Sequence, residues 1–122
     1  MKYKLTLVIL ACVILIGGSI AETVYIDKTF DAFEKKVEPL LCQEEYSFEE
    51  VNELSKWWAK KSETLEIFIS VLQLNEITVT LGELEGAVRK EDYDSASALV
   101  DRIYEYAVRI KDMYMVKFNN IL

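Results

Sequence analysis

The sequence contains no histidine, a single proline, four glycines and two cysteines in 122 residues. Without histidine, Ser-His-Asp and Cys-His nucleophilic sites, His-ligated zinc and the Glu-x-x-His di-iron pattern are all excluded. Cys12 lies inside an apolar run and Cys42 beyond it, so no disulfide between them and no thiolate metal site is expected. Cys42, next to Leu40 and Leu41, reads as a small buried hydrophobe at a helix end. Gly82 and Gly86 are flanked by Glu83 and Glu85, whose charge repels phosphate, so they do not make a nucleotide loop. The expectation is a chain with no catalytic residues, cofactor or metal. With only Pro39 and so little glycine, loops must be few and short, the profile of a helical protein.

Long apolar stretches are scarce too, with one exception at the N terminus. Lys2 and Lys4 precede Leu5 to Ala21, which carry no charge, and the run closes on "GGSIAE" at residues 17 to 22. A positive flank followed by an apolar segment is what the secretion machinery recognises, and the positive end stays in the cytoplasm. Ser19 and Ala21 offer small residues for a cut before Glu22. Seventeen residues at about 1.5 Å each make about 25 Å, a short but sufficient membrane span. The residues after Ala21 favour the anchor: Ile26, Phe30, Phe33, Val37 and Leu40 step by three and four, so an amphipathic helix begins with no polar linker. The leading reading is a single-pass anchor at residues 1–21 with residues 22–122 outside the cell membrane; the alternative is a signal peptide and a secreted domain.

The whole chain has 14 Lys and Arg against 21 Asp and Glu, net −7. Setting aside Lys2 and Lys4 leaves 12 against 21, or −9, on residues 22–122. Nucleic acid and anionic headgroups are poor partners for that part.

Pro39 is expected to end or kink the first helix. Ser47-Phe48-Glu49-Glu50 has the pattern of a capping box. From Phe48 nothing forces a stop before about Lys90, so the pattern predicts one long helix, with a possible kink at the polar patch near residue 62. Leu65, Phe68, Ile69, Leu72 and Val79 fall on one side of it and Ile67, Val71, Leu74 and Leu81 on the opposite side. A helix that is apolar on two sides needs two neighbours. Asp92 or Asp94 can cap the last helix, whose apolar face is Tyr93, Ala96, Val100, Ile103, Ala107, Ile110, Tyr114 and Phe118. The predicted fold is all-α: a transmembrane or signal helix, then an antiparallel bundle of three long helices, or four if the middle one breaks near residue 62.

Two sets of residues are candidates for function. Trp57 and Trp58 are adjacent, about 100° apart on a helix, so one can point inward while the other lies at an edge. An edge indole, with any uncovered part of the side carrying Ile67, Val71, Leu74 and Leu81, would form an apolar docking stripe. Glu76 and Glu83 continue the stripe of Leu65, Leu72 and Val79, where two carboxylates could contact a cation; pairing across the hairpin with Tyr104, Tyr106 or an arginine is the simpler role.

The segments "ELSKWWAKKSETLEIFI", "NEITVTLGELEGAVRKEDYDSASALVDRIYEYAVRIKDMY" and "FNNIL" resemble a family of short proteins from low-GC Gram-positive, often spore-forming bacteria. That family has an N-terminal membrane segment and a helical domain of unknown function. Its members often carry a histidine near what is here Gln73 to Glu76; its absence from this chain points to packing there rather than chemistry. The resemblance implies an architecture and no activity. Together these readings predict a non-enzymatic, membrane-anchored accessory or scaffold for another cell-envelope protein, or one that self-associates. The alternative is an extracytoplasmic ligand-binding or sensing bundle.

Overall fold

A computed structural model describes the backbone of residues 2–121 and the side chains of residues 3–115. Among the described residues there are four helices and no strand: α1 (Lys2–Leu41), α2 (Phe48–Leu65), α3 (Val71–Arg89) and α4 (Tyr93–Ile121). The middle helix does break, so the four-helix form of the expected bundle is the one observed. The break lies at residues 66–70, not at the polar patch near residue 62.

Its position has a physical cause. After Leu65 the Ile67 and Phe68 amides donate to the carbonyls of Thr64 and Leu65 at 3.2 and 2.9 Å, tightening the last turn. Ser70 then leaves helical space with ψ near 130° and starts α3. The run Ile67-Phe68-Ile69 is β-branched and aromatic, hence weak in helix propensity. More decisively, reversing direction lets Leu74, Ile77, Leu81, Leu84 and Val88, spaced by three and four, bury together. The two-sided reading of residues 65 to 88 therefore fails: Leu72 and Val79, which a continuous helix would place on its packed side, are exposed.

The helices run up, down, up and down. Arg89 at the end of α3 lies over Phe48 at the start of α2, and Tyr46 in the α1–α2 connection meets Tyr93 at the start of α4. Trp58 bonds Thr78 midway along α2 and α3, and Lys111 late in α4 reaches Asp27 and Glu34 in the second half of α1. In cross-section α1 packs on α4, α4 on α3, α3 on α2 and, more lightly, α2 on α1. The core follows the expected stripes: Ile26, Phe30, Phe33, Val37 and Leu40 from α1, and Ala96, Val100, Ile103, Ala107 and Ile110 from α4. Tyr93 and Tyr114 are partly buried against it. Phe118, expected on the same face, lies outside the described side chains.

The connections differ in detail from the sequence reading. Pro39 sits within the last turn of α1, which ends at Leu41. Cys42 is exposed, not buried, because the chain has already left the helix. Ser47 is the N-cap residue of α2, but its side chain makes no cap hydrogen bond. The turn between α3 and α4 is a Schellman motif. Glu91 adopts φ 56°, its amide donates to the Val88 carbonyl at 3.1 Å, and the Asp92 amide donates to that of Ala87 at 2.9 Å. Asp92 then caps α4, accepting from the hydroxyl and amide of Ser95 at 2.7 and 3.3 Å. Those two bonds hold the Asp92 carboxyl below its ordinary value.

Candidate functional site

The adjacent tryptophans divide as their angular separation requires. Trp58 is 1% exposed, wedged against Phe30 and Phe33 with ring centroids at 6.1 and 4.9 Å. Its Nε1 donates to Thr78 Oγ1 at 2.9 Å, which ties α2 to α3 and satisfies the polar edge of the ring. Trp57 is half-buried and stacks on the other side of Phe33, 5.9 Å between centroids and 11° between planes. Lys36 and Lys61 lie over its ring at 5.4 and 6.0 Å. The outer indole thus contacts a core phenyl group and two ammonium groups.

The other members of the expected stripe separate. Leu74 and Leu81 are buried in the core, whereas Ile67 and Val71 are 74% and 57% exposed. With Trp58 also inside, the six positions form no continuous outer surface. The exposed pair gathers at the turn between α2 and α3, together with Leu72 at 80% exposure. This tip is held by α1 and α4. Phe68 packs on Tyr25 of α1, 6.1 Å between centroids. The Ser70 amide donates to Tyr114 Oη at 3.3 Å, and Tyr114 Oη donates to Gln73 Oε1 at 3.2 Å.

Glu76 and Glu83 both point outward from α3. Glu83 lies 4.0 Å from Arg102 of α4 with both side chains about half exposed, a loose surface pair. Among the described residues, no group of three or more Cys, Asp or Glu is placed to hold a metal ion. The family model described as "Domain of unknown function (DUF4363)" matches residues 22–121. The chain belongs to the DUF4363 family. Neither a curated protein nor a solved structure matches it.

The match takes in all of the DUF4363 bundle and leaves the apolar start of α1 outside it. Within the DUF4363 domain one charged cluster departs from a simple solvated surface. Lys111 of α4 lies 3.6 Å from Asp27 and 3.9 Å from Glu34, both on α1. Glu34 is mostly shielded, and its burial pushes the carboxyl above its ordinary value even though Lys111 pulls it back down. The cluster fastens the longest helix pair of the DUF4363 domain and is invisible to sequence reasoning, since nothing in the spacing pairs residue 111 with residue 34. The apolar tip escapes it for a different reason. Its signal, "IFISVL" with a serine in the middle, is present, but a continuous helix absorbs it into the core.

Proposed function

We propose that this protein is a non-enzymatic, membrane-anchored helical domain that stands outside the cell membrane as a rigid accessory or scaffold for an envelope protein. The observation that carries the reading is the continuity of α1. One helix of 40 residues, about 60 Å long, begins in the apolar run and ends in the bundle core. Residues 3–21 are exposed throughout, and the helix is long and apolar enough to cross a membrane. From Ile26 onward the same helix is embedded in the core. A flexible linker would let the bundle wander, whereas a shared helix fixes its height and orientation.

The stretch "GGSIAE" is helical in this arrangement. Ser19 and Thr23 donate their hydroxyls to the carbonyls of Leu15 and Ser19, both at 2.9 Å, so neither leaves the helix to make a loop. A signal peptidase needs extended chain, so this geometry supports anchoring over release. Lys2 and Lys4 on one side and the acidic domain on the other fit an N terminus inside and a bundle outside. A cation-binding bundle would rest on Glu76 and Glu83, and their outward positions do not favour it.

N-terminal sequencing and membrane fractionation of the protein from its own host test the proposal. A chain starting at Met1 in the membrane pellet is the expected result. A chain starting at Glu22 in the soluble fraction would overturn it.

A further inference from the structure

Resting on the membrane-anchored reading, we infer that the tip between α2 and α3, with Ile67, Val71 and Leu72 at its surface, is a second membrane contact that dips into the outer headgroup layer.

The argument starts from height. Because α2 runs antiparallel to α1, the turn that ends α2 returns to the end of the bundle from which the apolar segment emerges. The Phe68 ring fixes the level by packing on Tyr25, 6.1 Å between centroids. Tyr25 is four residues past Ala21, about 6 Å along the helix axis. The headgroup layer outside the hydrocarbon core is about 5–8 Å thick on each face. A tip at the level of Tyr25 therefore lies within that layer, not above it. The span itself reinforces this: Leu5 to Ala21 cover about 25 Å against a core of about 30 Å, a shortfall that draws the flanking protein against the bilayer.

Chemistry agrees with height. Ile67 is 74% and Leu72 80% exposed, and Val24 on the facing turn of α1 is exposed as well. Together with Val71 at 57%, Ile67 and Leu72 are the three least covered large apolar residues on the described part of the bundle, and they cluster at one end, whereas Val79 at 50% stands by itself along α3. Three aliphatic side chains at a convex tip fall well short of the roughly 800 Å² per partner that a stable protein interface buries. They suit shallow insertion, which depends on apolar area. Glu63 and Glu66 nearby carry negative charge, so anionic lipid is not required and neutral phosphatidylcholine is the fitting surface. The tethered bundle would then stand on two feet, the α1 span and the tip, and could not pivot about Glu22.

The test uses the full chain reconstituted in phosphatidylcholine vesicles. An environment-sensitive fluorophore is attached at Leu72→Cys or Glu83→Cys in a background lacking Cys12 and Cys42, or at either native cysteine alone. Leu72 and Glu83 are both exposed, so neither substitution threatens the core. The label at position 72 is expected to be quenched by shallow spin-labelled lipid and to be several-fold less accessible to iodide than labels at position 83 and Cys42. If it is as open to iodide as the label at position 83 while Cys12 is quenched by lipid, the anchor stands and the tip contact is refuted. If it is shielded from iodide and lipid alike, the tip is covered by protein, such as a second copy, and the inference is equally refuted. A Cys12 label that lipid does not quench would remove the anchor, and the tip contact with it.

Discussion

Truncating the two adjacent tryptophans should give very different costs. Trp58 is enclosed by Phe30, Phe33 and α3, so Trp58→Ala leaves a cavity in the core and removes the donor to Thr78, whose hydroxyl keeps only its own bond to the Leu74 carbonyl. Large-to-small changes of a buried indole cost about 3–5 kcal/mol. Trp57→Ala removes one stacked pair, about 0.5–1.5 kcal/mol, and ammonium contacts of about 0.5–1 kcal/mol at an exposed site. A domain of this size has about 5–15 kcal/mol in total, so the first change consumes a large share of it and the second a small one. Thr78→Val provides a finer check, since it leaves the indole N–H without its acceptor and should cost about 1 kcal/mol. Urea unfolding of the full chain in detergent, followed through whichever indole remains, yields the midpoints. Equal losses for the two tryptophans, or a larger loss at Trp57, would refute the assignment of inner and outer rings. The experiment also bears on docking: a partner lost with Trp58→Ala reports an unfolded bundle, and only Trp57 offers an indole surface that a partner could touch.

Three further substitutions probe local features. Glu91 holds a left-handed conformation at φ 56° that costs a side-chain-bearing residue about 1 kcal/mol, so Glu91→Gly should raise the urea midpoint, and a lowered midpoint would contradict the strain. The Tyr46 hydroxyl is buried without a hydrogen-bond partner beside Tyr93, so Tyr46→Phe should be neutral or stabilising by up to about 1 kcal/mol; a clear loss of stability in the same assay would mean that the hydroxyl is bonded. Glu34 has a raised folded value, so the native state takes up its proton at higher pH than the unfolded chain does. Its contribution to stability therefore rises as pH falls through that raised value and levels off below the ordinary 4.5. Subtracting the midpoints of Glu34→Gln from those of the parent across this range should reveal the rise, and a pH-independent difference would show that Glu34 is not desolvated.

Helical class and the core faces of α1 and α4 are legible in the sequence because each helix has one sustained apolar stripe, from Ile26 to Leu40 and from Ala96 to Ile110. Periodicity reports which residues share a face, and it does so well wherever one helix stays one helix. It does not report where the chain turns back when no glycine or proline marks the place. Residues 66–70 are such a place: the spacing from Leu65 through Ile69 is still helical, and only the tertiary gain from burying Leu74, Ile77 and Leu81 against α2 and α4 decides the break. The phase of every residue between 70 and 89 depends on that decision. This is why periodicity places Leu72 and Val79 inside although both are exposed, and why Ile67 and Val71 part company with Leu74 and Leu81.

The break also fixes which connections share the end of the bundle from which the apolar segment emerges. Three helices after an anchor would carry the chain away, back and away again, leaving the last helix to finish at the far end. Four bring α4 back beside the part of α1 that follows the apolar segment, as the reach from Lys111 to Asp27 records. The same parity puts the turn between α2 and α3 next to Tyr25 and sends the other two connections, with Tyr46 against Tyr93, to the far end. The far end carries Cys42, Glu44, Glu45, Glu91 and Asp92 in exposed turns, and it is acidic. The near end carries the exposed Ile67, Val71 and Leu72. An apolar end and an acidic end thus result from a single reversal at residues 66–70.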